Sequence, residues 1–208
     1  MSDRSRTIVL ATHNPDKARE LRALFGSLEG VDVVTAGDLK GDVPEPVEDG
    51  SSLVENALIK ARALAAFSGT LSVADDTGLE VDALGGAPGI HAARYAGENA
   101  TYADNCAKLL RELDGVPTHD RSARFRTVMA LVDPATGIEL TVDGVLEGRI
   151  LDAMRGDGGF GYDPLFALAD RDATLAEIPP AEKNQISHRA RASVEMLEVL
   201  REHLGSDG

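Results

Sequence analysis

The sequence is poor in several features, and each shortage excludes a class of protein. Its one cysteine, Cys106, excludes an intramolecular disulfide and fits a reducing compartment. No apolar run approaches the ~20 residues that span a membrane, and the polar residues 1–6 lack the apolar stretch of a signal peptide. Lys and Arg number 21 against 35 Asp and Glu, and the net charge of −14 argues against a broad nucleic-acid or anionic-membrane surface. We therefore expect a soluble, cytoplasmic protein.

The chain is long enough to bury a substantial core, and its composition is that of a globular protein. Hydrophobic residues make up 43% and charged residues 27% of the 208 positions. We find no internal repeat, low-complexity segment or linker. We therefore expect a single domain over residues 1–208, with an ordered core at about 7–204.

Strand and helix patterns alternate along the chain. Strands are predicted at 7–11, 31–35 and 71–74, and a β-hairpin at 125–132 and 138–146. A helix is predicted after each of three capping residues, Asn14, Ser52 and Thr101, and another at about 187–204. The apolar stripe of this last helix is predicted to be Val194, Leu197 and Leu200. This order predicts an α/β fold with a mixed sheet.

Two adjacent acids, Asp75 and Asp76, follow the apolar strand 71–74 and precede a predicted turn at 77–79. The carboxyl end of a buried strand is where open α/β sheets place their ligands. Because a buried charge without a partner is strongly unfavourable, the two acids need a cation, hydrogen-bond donors or water. A helix cap or turn built from Asp is the alternative interpretation.

Residues 12–17 lie between a predicted strand and a predicted helix, an arrangement that suits an anion. The first N–H groups of the helix would meet a phosphate there, with Asn14 and Lys17 as additional donors. No glycine run precedes Lys17, so this is not a Walker loop. A capped surface helix with an exposed lysine is the alternative.

Glu48 lies in an acidic loop at 44–50, and together with Asp76 it could hold Mg²⁺, which prefers oxygen ligands and binds phosphate oxygens at the same time. A metal bridge would also let an acidic protein accept a polyanionic substrate. The alternative for Glu48 is a solvated surface position.

Residues 156–161 match the dinucleotide pattern GxGxxG, but Tyr162, Asp163 and Pro164 prevent the helix that this fingerprint requires. We interpret the segment as a glycine loop that presents Phe160 to a planar ligand and directs Asp163 toward a base edge. A turn with its aromatic ring in the core is the alternative for Phe160.

Ser187, His188 and Arg189 stand together at a predicted helix start, where basic residues are disfavoured by the helix dipole. This unfavourable placement suggests that they face a ligand with carbonyl acceptors. A Ser/His/Asp hydrolase is a competing interpretation, but no nucleophile-elbow pattern accompanies it. The histidines at 91, 119 and 203 show no metal-ligand spacing, and Cys106 fits a helix core.

Taken together, these segments resemble the inosine/xanthosine triphosphate pyrophosphatase family, the dITP/XTP pyrophosphatases that remove deaminated purine nucleotides. The resemblance extends over about residues 7–204. It rests on five stretches in family order: 12–17, 55–57, 74–90 with 93–95, 159–164, and 182–184 with 186–189.

The resemblance implies a reaction in which water attacks the α-phosphorus of a nucleoside triphosphate, giving the monophosphate and pyrophosphate. It implies Asp76 as the catalytic acid and Glu48 and Asp76 as ligands of Mg²⁺. The implied substrate-binding residues are Thr12, His13, Asn14, Lys17, Lys60, Thr77, Phe160, Gly161, Tyr162, Asp163, Lys183, Ser187, His188 and Arg189. Among these, Asn14, Lys17 and Lys60 would hold phosphates, and Phe160 would stack on the purine.

The resemblance further implies an elongated mixed sheet flanked by helices, in two lobes with the active-site cleft between them, and a homodimer. The partners expected are thus a nucleoside triphosphate and a second copy of the chain, with neither nucleic acid nor membrane.

The chain departs from the family pattern most at residues 51–53, which follow Glu48, so that Asp49 is an alternative metal ligand. Two other functions stay open: a pyrophosphatase of related fold for modified pyrimidine or methylated nucleotides, and a nucleotide-binding regulatory module without catalysis.

Overall fold

A computed structural model describes residues 6–26 and 28–205, apart from the side chain of Arg6. The strands are β1 (Arg6–Leu10), β2 (Val31–Thr35), β3 (Leu71–Val81), β4 (Pro88–Gly89), β5 (Ser122–Val132), β6 (Glu139–Ile150) and β7 (Phe166–Leu168). The α-helices are α1 (Pro15–Phe25), α2 (Leu53–Ser68), α3 (Tyr102–Glu112), α4 (Pro180–Ile186) and α5 (His188–Gly205).

The strands within the described residues form one mixed sheet in the order β2-β1-β3-β5-β6-β7, with β4 beside β3. Strand β1 runs parallel to β2 and to β3, whereas β4 pairs antiparallel with β3 and β7 antiparallel with β6. The predicted α/β class and mixed sheet are confirmed.

The described residues divide into two compact units. The first unit comprises 6–26, 28–76, Thr127–Gly144 and 190–205. Its core joins alternate residues of the strands to one face of α1 and α5, as the two periodicities require. This core contains Ile8, Leu10, Leu21, Phe25, Val73, Met129, Leu131, Met196 and Leu200.

The second unit comprises Thr77–Arg126 and Val145–Arg189 and has a core of its own. Helix α3 contributes Cys106 and Leu109 at helical spacing, and the strands contribute Leu79, Val81, Phe125, Leu146, Ile150 and Phe166. The prediction of a single domain stays a prediction.

The helix starts agree with the capping residues read from the sequence. The side chain of Asn14 accepts from the backbone N–H groups of Asp16 and Lys17, and Pro15 occupies the first turn of α1. Ser52 caps α2, and Thr101 caps α3. A capping residue of this kind contributes about 1 kcal/mol to stability.

Two sequence predictions need correction, and one helix was not predicted. Strand β3 does not end before the acid pair but continues as one strand of 11 residues through Asp75 and Asp76. The segment before Ser187 forms a separate short helix, α4. Val194 was predicted to face inward on α5 but is 57% exposed, and the buried apolar positions near it are Ala192, Met196 and Leu197.

Within residues 6–26 and 28–205, no helix combines the length and apolar character that would be needed to cross a membrane.

Candidate active site

The acid pair of β3 is divided between two lysines. Neighbouring residues of a strand point to opposite faces of the sheet, so that Asp75 and Asp76 form ion pairs with different lysines. Accordingly, Asp75 Oδ2 lies 3.1 Å from Lys17 Nζ of α1, and Asp76 Oδ1 lies 2.8 Å from Lys60 Nζ of α2. Both carboxylates are buried. The lysines therefore supply the cations that the buried acids need, which is why the strand can continue through them.

Lys60 links Asp76 to the acidic loop. Its ammonium also lies 3.1 Å from Glu48 Oε2, so one cation contacts two carboxylates. Burial alone would lower the pKa of Lys60, but the charges of Asp76 and Glu48 raise it above its ordinary value. Lys60 is thus held in its charged form. Glu48, and not the exposed Asp49, makes this contact.

Asn56 has a position in this cluster that the sequence analysis did not identify. Its Nδ2 donates to Asp76 Oδ2 at 3.4 Å, and its Oδ1 accepts from the backbone N–H of Gly50 at 2.9 Å. A Cβ on Gly50 would lie 2.6 Å from Asn56 Oδ1, so only glycine permits this approach. Asn56 therefore fixes both the loop that carries Glu48 and the carboxylate of Asp76.

The predicted phosphate-binding turn has the expected local structure. Asn14 Oδ1 caps α1, and the hydroxyl of the buried Thr12 accepts from the backbone N–H of Asn14 at 3.2 Å. The exposed His13 places Nε2 3.3 Å from the carbonyl oxygen of Pro44. Through Lys17, this turn is connected to Asp75. The structure thus brings Asn14 and Lys17 to a helix start, where a phosphate can be bound.

The donor set of the acid cluster suits a hard divalent cation. No group of three or more His, Cys, Asp or Glu that could hold a metal occurs among the residues described. Glu48 and Asp76 nevertheless converge on one cationic nitrogen, so their oxygens can share a cation. Two carboxylates fit Mg²⁺, because this ion keeps several waters and takes further oxygens from substrate phosphates.

In the second unit, the glycine loop at 156–164 is irregular, and no helix follows Gly161. The rejection of the dinucleotide fingerprint is therefore confirmed. The buried carboxylate of Asp163 accepts from the backbone N–H of Phe160 at 2.8 Å and pairs with Lys183 Nζ at 2.5 Å. Asp163 thus fixes both the loop and a buried ammonium, whereas its predicted contact with a base edge stays a prediction.

Phe160 has an aromatic neighbour and two cationic neighbours. Lys183 Nζ lies 4.7 Å and Arg189 Cζ 5.6 Å from the centroid of its ring, within the range of cation–π attraction. The ring of Tyr102 lies 5.9 Å away at a tilt of 40°. Phe160 is partly exposed, so the alternative of a ring inside the core does not hold.

Tyr102 was also missed by the sequence analysis, although it is the first residue of α3 and 41% exposed. The only signal that could have indicated it is an aromatic side chain on the polar first turn of a helix. Its packing on Phe160 depends on a contact 58 positions away in sequence, which no local pattern predicts.

The basic helix start is buried. Arg189 is 1% exposed and donates to the hydroxyl of Thr77 at 3.2 Å. His188 stacks on Phe125 with ring centroids 4.5 Å apart, and Ser187 is buried beside it in the chain. The predicted contact of these side chains with the carbonyl acceptors of a ligand stays a prediction.

Two residues near the glycine loop have structural roles. Tyr162 lies in the core of the second unit, and its hydroxyl donates to the carbonyl oxygen of Ala92. The thiol of Cys106 donates to the carbonyl oxygen of Gly161, and burial raises its pKa to about 11. A thiol with so high a pKa is a poor nucleophile, in agreement with the predicted core position.

The predicted site residues therefore form two clusters, each within its own unit. The first contains Thr12, Asn14, Lys17, Glu48, Lys60 and Asp76, together with Asp75 and Asn56. The second contains Thr77, Phe160, Asp163, Lys183 and Arg189, together with Tyr102. Their roles toward a substrate stay predictions.

Similar proteins were found by sequence and by structure. A dITP/XTP pyrophosphatase of Geobacillus kaustophilus is 49% identical over 201 residues, which cover 97% of each chain. A dITP/XTP pyrophosphatase of Geobacter sulfurreducens is 48% identical and covers 97% of this chain and 98% of its own. A solved HAM1 protein from Coxiella burnetii has a TM-score of 0.84 at 42% identity, over 95% of this chain and 99% of that one.

A nucleoside-triphosphatase / dITP/XTP pyrophosphatase from Mycobacterium abscessus has a TM-score of 0.73 at 41% identity, over 92% of this chain and 98% of that one. The model of the Ham1 family matches residues 8–199. These findings confirm the resemblance stated from the sequence: the chain belongs to the Ham1 family.

Proposed function

We propose that the protein hydrolyses deaminated purine nucleoside triphosphates, namely dITP, ITP and XTP, to the monophosphate and pyrophosphate. Relatives almost half identical over nearly the whole chain have the name dITP/XTP pyrophosphatase. The observation that carries the proposal is the arrangement of Asp76, held by Asn56 and joined through Lys60 to Glu48. It provides a fixed carboxylate beside positive charge, which phosphoryl chemistry requires.

The first unit is proposed to act on the phosphates. Lys17 and the N–H groups at the start of α1 bind phosphate oxygens and neutralise their charge. Asp76 orients and deprotonates the water that attacks the α-phosphorus, and Asn56 holds its carboxylate in place. Because phosphoryl transfer to water requires little covalent catalysis by the protein, such positioning and charge neutralisation supply most of the rate enhancement.

Glu48 and Asp76 are proposed to hold Mg²⁺, whose charge would neutralise the phosphate oxygens. This finer assignment is supported by the convergence of the two carboxylates on one cation. It also accounts for the acceptance of a triphosphate by a chain with a net charge of −14.

The second unit is proposed to read the base. Phe160 stacks on the purine, and Arg189, His188 and Lys183 donate toward its 6-keto oxygen. An adenine would place its amino group against these donors and leave buried donors without an acceptor, which is a strong basis for rejection. The burial of Arg189 supports this reading, because only in a dry site does such a mismatch cost much.

The homodimer and the cytoplasmic location are also kept as proposals. The homodimer rests on the family resemblance alone. The location rests on the composition, in particular the single cysteine.

The proposed function is tested by steady-state rates on dITP, XTP, dATP, dGTP and dUTP, each with and without Mg²⁺. We expect pyrophosphate release from dITP and XTP, dependent on Mg²⁺, with kcat/KM for dATP lower by about 10²-fold or more. A preference for dUTP would support the pyrimidine alternative. Nucleotide binding without pyrophosphate release would support a regulatory module.

Lys17→Ala is expected to raise the KM for dITP by about tenfold or more, since one charge-assisted contact to phosphate contributes about 1.5–3 kcal/mol. We expect a smaller change in kcat, because Lys17 pairs with Asp75, whereas Asp76 pairs with Lys60. Lys40→Ala, at an exposed position, is the control for loss of one positive charge. An unchanged KM in Lys17→Ala would contradict the phosphate role.

A further inference from the structure

Lys60 occupies the point at which the two proposed metal ligands meet. Its Nζ lies 2.8 Å from Asp76 Oδ1 and 3.1 Å from Glu48 Oε2. Its side chain is 12% exposed. Asn56 donates to the carboxylate of Asp76 and accepts from the backbone N–H of Gly50, two residues after Glu48. The ammonium is therefore a built-in counter-ion of the site and not a mobile surface charge.

We propose that Lys60 is an exchangeable counter-ion, which must leave Glu48 and Asp76 before these carboxylates can bind a divalent cation, so that metal and triphosphate bind cooperatively. The inference rests on the proposed function, because it takes Mg²⁺ and a triphosphate as the ligands. The inference goes beyond the proposed function because it assigns to Lys60 the control of metal affinity in the free enzyme.

The first step is competition for the same oxygens. An ammonium at hydrogen-bonding distance from both carboxylates excludes a second cation at bonding distance from the same two oxygen atoms, because like charges so close repel strongly. In the absence of nucleotide, a metal must therefore displace a partner that is already well placed. Metal binding to the free enzyme is consequently weak.

The second step is the new position of the ammonium. The ion pairs of the cluster join three carboxylates (Glu48, Asp75 and Asp76) to two ammonium groups (Lys17 and Lys60), which leaves one negative charge. Binding of a divalent cation changes the net charge of the cluster to one positive charge. The displaced ammonium of Lys60 is then no longer paired with Glu48 and Asp76. A substrate phosphate supplies the anion that both the cluster and Lys60 need.

The consequence is a reciprocal coupling. If triphosphate raises the metal affinity by a factor, then metal raises the triphosphate affinity by the same factor. Lys60 thereby prevents a free carboxylate site from collecting metal without substrate, and it delivers an ammonium to the phosphates when both ligands are present.

The test is the affinity of Mn²⁺ for the full chain without nucleotide, measured by electron paramagnetic resonance for the wild type, Lys60→Met and Lys17→Met. We expect Lys60→Met to bind Mn²⁺ at least tenfold more tightly than the wild type. Lys17→Met removes an equal charge from Asp75, which is not a proposed ligand, and is expected to change the affinity less than threefold.

The same titration with a dITP analogue that has an imido group between the α- and β-phosphorus measures the coupling. The wild type is expected to gain at least tenfold in Mn²⁺ affinity from the analogue, and Lys60→Met is expected to lose most of this gain. Equal Mn²⁺ affinity of wild type and Lys60→Met without nucleotide overturns the proposal. It is also overturned if Lys17→Met raises the nucleotide-free Mn²⁺ affinity as much as Lys60→Met does.

A stability measurement keeps the test valid if Lys60→Met folds poorly. Without Lys60, the buried Asp76 and the partly exposed Glu48 lose their counter-ion. Mg²⁺ alone is therefore expected to raise the Tm of Lys60→Met and of Lys60→Gln by more than it raises that of the wild type. A Tm that does not respond to Mg²⁺ in either variant also overturns the proposal. Both readouts are independent of turnover. If Lys60→Met binds Mn²⁺ tightly but the wild type does not hydrolyse dITP, the proposed activity is refuted and the counter-ion role is left intact.

Discussion

Asp76→Asn is expected to lower kcat for dITP by about 10²–10⁴-fold, the contribution typical of a positioned acid or base. The substitution keeps the shape of the side chain and an oxygen that can accept from Asn56. It removes the negative charge that contacts Lys60 and that is proposed to bind metal and activate water. The loss is measured by pyrophosphate release at saturating dITP and Mg²⁺.

Asp75→Asn is the matched control, since it removes the adjacent carboxylate from the opposite face of the same strand. Asp75 contacts Lys17 and is expected to orient that lysine, so its loss is expected to change KM more than kcat. Circular dichroism and thermal unfolding of both variants establish that the fold is retained. Turnover like that of the wild type in Asp76→Asn would remove this residue from the mechanism.

The course of β3 shows what the sequence could predict and what it could not. The apolar run predicted the start at Leu71, but the acid pair and the turn predicted at 77–79 placed the end of the strand at residue 74. The strand continues because Lys17 and Lys60, from helices earlier in the chain, neutralise the acids. Such partners are set by tertiary packing and do not appear in the local pattern.

The residues of the candidate site likewise fall into those that the sequence could indicate and those that it could not. Residues with a chemical signature, such as Asp76, Glu48, Lys17 and Arg189, could be predicted from motifs and from resemblance. Asn56 could not be assigned a role, because a buried amide in a helix has no distinctive pattern until its contacts with Gly50 and Asp76 are known.

Loops were predicted well where backbone chemistry decides the outcome. The segment 156–164 was correctly predicted as irregular, since its glycines and Pro164 exclude a helix. The side-chain contacts of that loop were not predictable. Asp163 was interpreted as a residue that contacts the base edge. In the structure, its carboxylate accepts from the backbone N–H of Phe160 and pairs with the ammonium of Lys183.

Asp163→Asn is expected to destabilise the protein by about 3–5 kcal/mol at neutral pH, the typical result of removing one partner of a buried ion pair. Asp163 and Lys183 are both nearly inaccessible to solvent, and their charged atoms are 2.5 Å apart. The substitution leaves the ammonium of Lys183 buried without this carboxylate. The free energy of unfolding in urea measures the loss, and thermal unfolding checks it independently.

The double variant with Lys183→Met separates the ion pair from the other roles of Asp163. Because replacing both charges removes the buried ammonium as well, Asp163→Asn with Lys183→Met is expected to be more stable than the sum of the single losses, with a coupling of several kcal/mol. Asp172→Asn, which breaks an exposed pair with Arg155 at the base of the same loop, is the control and is expected to have little effect.

The single variant Asp163→Asn also connects stability to base recognition. Asp163 holds the backbone N–H of Phe160, and Lys183 lies over the ring of Phe160, so losing the carboxylate loosens the ring and its cationic neighbour together. At a temperature where Asp163→Asn remains folded, we therefore expect a raised KM for dITP and a reduced preference for dITP over dATP. If Asp163→Asn unfolds more easily but keeps the wild-type KM for dITP and the wild-type preference for dITP over dATP, then Asp163 only stabilises the fold. In that case, recognition of the base by Phe160 does not depend on Asp163.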